Sequence, residues 1–266
     1  MHRIAIIHNP SSTHALTWKM WLESAEYSVD RIYDDDSFNH SKDLTYDLVI
    51  PLITISDYVT KDNARMRALL YFSSKDTKLL TSLNAIAASS DKLKTADILR
   101  SNSLPHPWTD MAENLVWDTS QAKSFIVKPR FGHSGNDIHL VQNEEEFNTY
   151  KDSNMLTQRY IEHAECIRII ASHSEILSAY KKIPPKGEII ANIEKGAKRQ
   201  TIVPTYEMKK LALSAVQSFG GGLMGVDLLD SPEELFVLEA NVPFGFDIHD
   251  QSLKQKLVAY INKEVQ

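Results

Sequence analysis

Asp227, Glu239 and Asn241 stand in a stretch, residues 220–246, whose pattern is that of a hairpin. Met224 to Leu229 and Leu235 to Ala240 are apolar, extended runs, and Asp230-Ser231-Pro232-Glu233-Glu234 between them is turn chemistry. Pairing about Glu233 puts Asp227 opposite Glu239, and the two-residue pleat puts Asn241 on the same face as Glu239. Two carboxylates about 4 Å apart at an effective dielectric of about 20 repel by about 4 kcal/mol, so a cation is expected between them. Hard oxygen donors suit Mg²⁺, which takes one or two carboxylates and completes its shell with water and substrate phosphates. The competing picture is a surface hairpin with solvated acids. Leu238 and Ala240 on either side of Glu239 favour the buried one.

A second stretch with chemistry in it runs from Ser124 to Val141 and has the form strand, glycine-containing loop, strand. Lys128 closes the first apolar run and, if buried there, needs an anionic partner. The loop Gly132-His133-Ser134-Gly135 offers backbone N–H groups with few side chains in the way of phosphate oxygens. Taken alone, such a loop is more often a plain turn and such a lysine more often half-exposed with its head in water. Further along, Lys181, Lys182, Asn192 and Lys195 flank or occupy the segment Gly187 to Gly196, and each lysine taken singly fits a solvated surface.

The elements that must position these groups alternate. Arg3 to His8 reads as a buried strand, followed by the breaker Asn9-Pro10-Ser11-Ser12 and a helix whose Ala15, Trp18, Trp21 and Leu22 share a face. Strands at Tyr27 to Tyr33 and Asp47 to Thr54 and a helix at Asn63 to Ser73 complete a small parallel-sheet domain, a scaffold that contributes a wall to a substrate cleft. It has no Gly-x-Gly-x-x-Gly after its first strand, which argues against a dinucleotide site. Leu79 to Asn84 reads as a short strand, and Asp91 to Arg100 as a helix capped by Ser89, Ser90 or Asp91. Beyond the proline-bearing loop at 101–109 come strands at Met155 to Ile161 and Cys166 to Ala171, the latter pairing with Glu175 to Tyr180, and an amphipathic helix from Tyr206 to Phe219.

Composition bounds the rest. The 266 residues carry a net charge of −6, which argues against a nucleic-acid-binding surface spread over the fold, so a polyanionic ligand must be met by placed lysines, backbone donors or metal. One cysteine, Cys166, allows no internal disulfide, and no Cys/His cluster has zinc spacing. The apolar run ending at Ile7 is too short for a signal-peptide core, and no window has the length of a spanning helix. The expectation is a cytoplasmic enzyme or binding protein with no membrane partner.

In their order these parts resemble the ATP-grasp superfamily, and more closely its RimK-like branch of carboxylate–amine ligases. The resemblance covers about Leu79 to Phe246. It rests on Asn84 to Lys92 with Leu104-Pro-His-Pro107, on Val127-Lys-Pro129 with Gly132 and Gly135, and on Gln158-Arg-Tyr-Ile161 before Ile167-Arg168. Asn192 with Gly196, and Gly225-Val-Asp227 before Leu238-Glu-Ala-Asn241, complete it. The fold it implies is α/β (α+β): a small N-terminal parallel-sheet domain over residues 1–88, then two α+β subdomains, 89–157 and 158–266, gripping ATP. Carried over by position, Lys92 and Lys128 contact the ATP phosphates, and Gly132, His133, Ser134 and Gly135 form the loop over them. Gln158, Arg159, Tyr160 and Ile161 hold the adenine edge, and Glu165 the ribose. Lys182 meets the transferring phosphoryl group beside Asn192, with Lys128, Lys182 and Asn192 as the catalytic set. Asp227, Glu239 and Asn241 bind one or two Mg²⁺, or Mn²⁺ in their place.

The function implied is an ATP-dependent ligase joining a small-molecule or peptide carboxylate to an amine through an acyl phosphate, with release of ADP and phosphate. Members of such a family are often homo-oligomers, dimers or tetramers. Two other classes stay open: a phosphotransferase on a small molecule, which uses the same ATP site and stops at a phosphoester, and a non-catalytic ATP-binding regulatory module. The chain departs from the family pattern at Cys166, where an acid is usual, at Lys182 and Ile190, where arginines are usual, and at Pro243-Phe-Gly-Phe246 after Asn241. These departures lie on the substrate side, which implies retained ATP chemistry with an altered substrate.

Overall fold

The computed structural model describes residues 2–53, 60, 63–117, 123–132 and 135–266. The first sheet is parallel, in the order β2-β1-β3, from β1 (Arg3–His8), β2 (Ser28–Ile32) and β3 (Leu48–Leu52). All five residues of β3 are buried, as a strand covered on both faces must be. Helices α1 (Thr13–Glu23), α2 (Asp35–Ser41) and α3 (Ala64–Ser74) each begin at a capping side chain, Ser12, Asp34 and Asn63, that accepts a first-turn N–H.

The expected strand at Leu79 to Asn84 is not one. Leu79 makes a single parallel bridge to Val49, and the Ser82 side chain then accepts the Ala85 N–H at 3.1 Å and starts α4 (Leu83–Ser90). The capping hydroxyl followed by Leu-Asn-Ala-Ile-Ala-Ala favours a helix over an extended pairing. Of the candidate caps for the next helix, α5 (Lys92–Ser101), Asp91 fills the role, accepting from Leu93 and Lys94.

The second sheet, β4-β7-β5-β6, is antiparallel and comprises β4 (Thr109–Met111), β5 (Phe125–Pro129), β6 (His139–Val141) and β7 (Met155–Arg159), with α6 (Glu144–Tyr150) returning the chain. Its apolar residues, Phe125, Val127, Val141 and Phe147 with Ala112 and Leu115, form a cluster of their own. The third sheet, also antiparallel, runs β10-β9-β8-β11-β12: β8 (Glu165–Ala171), β9 (Ile176–Ile183), β10 (Lys198–Thr201), β11 (Met224–Asp230) and β12 (Leu235–Asn241). Helices α7 (Tyr206–Ser218) and α8 (Gln251–Glu264) follow β10 and β12.

Alternation along the strands gives the third sheet two faces. On one, Ile167, Ile169, Ala179, Val226, Leu228 and Val237 pack with Leu211, Ala212, Ala215 and Val216 of α7 in a cluster shared with the parallel sheet. The other face carries the polar residues discussed next. The architecture is therefore the expected small parallel-sheet unit followed by two α+β units. Among the described residues no helix is long and apolar enough to cross a membrane.

Candidate active site

Register alone assembles the centre of the site. Tyr180 on β9, Arg168 on β8, Asp227 on β11 and Glu239 on β12 are successive partners, so they form one rung across four strands and share one face. Asp227 is opposite Glu239, as the sequence predicts, but by a different route. At the turn Asp230 pairs with Leu235, one residue short of symmetry about Glu233, and a bulge at Leu238 between Asp227 and Leu228 restores the pairing. Asn241 lies on the same side and donates its Nδ2 to Glu239 Oε1 at 3.0 Å.

Asp227 is already partnered by two cations of the protein, whereas among the described residues no ion pair reaches Glu239. Arg168 donates Nε to Asp227 Oδ1 at 2.6 Å and Nη2 to Oδ2 at 2.7 Å, and Lys182 donates Nζ to Oδ2 at 2.8 Å. All three side chains are buried. Lys182, which fits a solvated surface when taken alone, belongs to this triad. Burial works to raise the Asp227 carboxyl, but the Arg168 and Lys182 charges and their hydrogen bonds win and hold it well below the usual carboxylate range. Burial likewise works to lower Arg168, and the Asp227 charge outweighs it and raises the guanidinium. Gly225, on the same face as Asp227, makes room for this: a Cβ there would lie 2.5 Å from Phe244 Cβ and 3.0 Å from Arg168 Nη1. Beside the triad, burial first and then the Asp227 charge push Cys166 up to about 12, so the usual place of an acid holds a neutral thiol.

The opposing wall carries two more lysines. Lys128 on β5 is buried and donates to Gln158 Oε1 at 2.9 Å, while Gln158 Nε2 donates to Thr109 Oγ1 at 2.8 Å. Burial pushes Lys128 down to about 8; Glu239 opposes the shift and Lys92 adds to it. Lys92, the first residue of α5, donates to the Gly132 carbonyl. Burial lowers it too, against the pull of Glu239 and Asp91. Asp91 itself is gripped by Arg130 Nε at 2.9 Å and Nη2 at 2.6 Å. Glu239 thus faces cations from both sheets. Of the glycine loop, His133 and Ser134 lie outside the described residues. Gly135 has φ +69°, a Cβ on it would meet Ile190 Cγ2 at 3.0 Å, and its carbonyl accepts from Lys195.

All the remaining predicted residues line one cleft of about 1100 Å³ with the triad, Glu239 and Asn241: Lys92, Lys128, Gly132, Gly135, Gln158, Arg159, Tyr160, Ile161, Glu165 and Asn192. Several have partners within the chain. The N–H groups of Arg159 and Tyr160 bond the carbonyls of Trp108 and Ser124, Glu165 is paired with Lys181, and Asn192 Oδ1 accepts the Glu194 N–H at 2.8 Å. Asn9, Ser11, Ser12 and His14 supply the expected wall from the N-terminal domain. Arg168 is absent from the predicted set, although a charge inside the apolar run Cys166 to Ala171 is the same signal that singled out Lys128. Nothing local in the sequence marks His14 or Arg199 as cleft residues.

The donor set fits Mg²⁺. Three of about four lone-pair positions on Asp227 are taken, which leaves one on Oδ1, and the Asn241 amide nitrogen is committed to Glu239, which leaves its carbonyl oxygen free. Among the described residues no three acids, histidines or cysteines gather to hold a metal by themselves. A cation here needs Asn241 and ligand oxygens as well as the two acids.

The RimK-like ATP-grasp domain model matches residues 89–264. The chain is 24% identical over 261 residues to the coenzyme gamma-F420-2:alpha-L-glutamate ligase of Methanococcus maripaludis, covering 88% of each protein. It is 26% identical over 219 residues to a probable alpha-L-glutamate ligase of Haemophilus influenzae, covering 78% of this chain and 71% of that one. Its fold matches the ATP-grasp ligase PsnB, solved with a minimal precursor, Mg and ADP, at a TM-score of 0.74 and 15% identity, covering 99% of this chain and 97% of that one. It matches the D-alanine–D-alanine ligase of Bacillus anthracis at a TM-score of 0.70 and 16% identity, covering 100% of both. With the domain model spanning most of its length, the chain belongs to the RimK-like ATP-grasp family.

Proposed function

We propose that this protein is an ATP-dependent carboxylate–amine ligase that forms an amide or peptide bond through an acyl phosphate and releases ADP and phosphate. The observation that carries the reading is the rung Arg168–Asp227–Glu239 facing Lys92 and Lys128 across one cleft. A carboxylate is a poor electrophile because its leaving group would be oxide. Phosphorylation by ATP turns that leaving group into phosphate, and an amine then displaces it. Phosphoryl transfer spreads negative charge over the equatorial oxygens, so catalysis is mostly positioning and charge neutralisation.

The roles follow from the chemistry. Lys92 and Lys128 bind and orient the ATP phosphates. Lys182 leaves Asp227 for the transferring phosphoryl group, and Arg168 stays to keep the buried carboxylate ionised. Asn192 lies at the edge of that group. Residues 158–161 receive the adenine, and Glu165 the ribose. Asp227 Oδ1, Glu239 and the Asn241 carbonyl hold the divalent cation, which supplies Lewis-acid neutralisation of phosphate oxygens when bound. The glycine loop keeps water from the acyl phosphate. The substrates are an amino-acid or peptide carboxylate and an amine.

The test is ADP release with purified Glu239→Gln and Lys128→Ala variants, each checked for native circular dichroism. Both lose ADP formation. Full turnover by either would refute the site, and ADP without free phosphate would refute the ligase in favour of a stable phosphoester product.

A further inference from the structure

The floor of the cleft has a direction. β8 begins at Glu165 and Cys166, beside residues 158–161, and passes Arg168 to reach Ile170, which packs with Trp18, Phe244 and Phe246 against the N-terminal domain. Arg199 on β10 is the register partner of Lys182 on β9, so the two side chains leave the sheet on one face. The Arg199 guanidinium does not stay beside Lys182. It lies over the Tyr180 ring, 5.5 Å from its centre, one pleat nearer the N-terminal domain. Tyr180 is pinned there by its hydroxyl, which donates to the Gly245 carbonyl at 3.1 Å. Across the cleft, His14 packs edge-on to Phe246 with 4.7 Å between ring centres, and the charges of Arg199 and Glu194 both reach its imidazole.

Arg199 is exposed to the cleft, and among the described residues no carboxylate forms an ion pair with it. A guanidinium fork matches a carboxylate or a phosphate. The phosphate lysines Lys92, Lys128 and Lys182 lie behind it toward residues 158–161, and Arg199 leans the other way. An anion on Arg199 therefore sits beyond the phosphoryl group, where the attacking amine approaches. Glu194, which also lines the cleft, offers that amine a countercharge.

We propose that Arg199 is a specificity-determining residue that binds the carboxylate of the amine substrate, so that the enzyme accepts an α-amino acid only with that carboxylate free. The inference rests on the ligase reading and names the chemistry at one end of its cleft.

The experiment offers purified full-length protein, ATP and Mg²⁺ a panel of L-amino acids, singly and in pairs, and the same amino acids as α-carboxamides. ADP release is followed and products are identified by mass spectrometry. For wild type, the free acid should exceed its carboxamide as amine substrate by about 10- to 100-fold in kcat/KM, the range for losing a charged hydrogen bond. Arg199→Gln should abolish that preference through KM for the amine, with KM for ATP unchanged, and Arg199→Lys should retain part of it. Equal use of acids and carboxamides by wild type, or an undiminished preference in Arg199→Gln, would overturn this role and leave the ligase standing. No ADP release with any member would remove both.

Discussion

Arg168 holds Asp227 by both carboxylate oxygens, whereas Lys182 shares only one of them. The triad has two positive charges to one negative, all out of water. Its members are therefore unequal when removed. Asp227→Asn strands two buried cations and should cost about 3–5 kcal/mol. Lys182→Met leaves the Arg168–Asp227 pair neutral and should cost about 1 kcal/mol. Urea denaturation of both variants checks the order, and a Lys182 variant as unstable as the Asp227 one would contradict it.

Lys128 carries a pH prediction. Its pKa is pushed down to about 8 from an ordinary 10.5. Between those values the unfolded chain binds the proton that the folded chain has released, so this group makes stability rise with pH across that window. Polyphosphate in the cleft restores the proton, so ATP binding at pH 8.5–9 should take up protons. Calorimetry in buffers of different ionisation heat measures that uptake, and Lys128→Gln should remove most of it.

Gly225 permits the triad by lacking a side chain. With Phe244 Cβ at 2.5 Å from the added atom, Gly225→Ala must move β11, Phe244 or Arg168. The expected loss is about 1–3 kcal/mol, typical of forcing a methyl group into a packed interior. Thermal melting checks it, and an unchanged midpoint would mean that Phe244 yields freely.

Asp91 caps α5 and anchors Arg130, and the next residue is Lys92. Asp91→Ala should cost about 1–2 kcal/mol through the lost cap. KM for ATP should rise with it, because Lys92 loses its fixed starting point, while kcat falls less. Steady-state kinetics at saturating amine substrate separate the two.

The hairpin at 220–246 was legible because a period-two apolar pattern and a Ser-Pro-Glu-Glu turn are local signals, and Asp227 opposite Glu239 followed from them. The Leu238 bulge was not, since the two-for-one pairing depends on how the strands twist against their neighbours. The triad was hidden for a different reason. Arg168 and Asp227 meet because β8 and β11 are neighbours although β9, β10 and α7 lie between them in the chain. Lys128 could be flagged as a lysine in an apolar strand, but its partner Gln158 could not. The segment at Leu79 misled because a short apolar run fits strand or helix equally until a capping hydroxyl decides.

The four-stranded sheet has its own cluster around Phe125 and Phe147, apart from the apolar clusters that join the other two sheets. Lys128 is rooted in the first body, Asp227 and Glu239 in the second. A nucleotide touching both acts as a rivet between plates that otherwise meet through polar links such as the Arg159–Glu233 pair and the Lys195 contact with the Gly135 carbonyl. In hydrogen exchange, the amides of β4 to β7 should open as a separate group in the free protein and fall into step with β8 to β12 once ATP and Mg²⁺ are added.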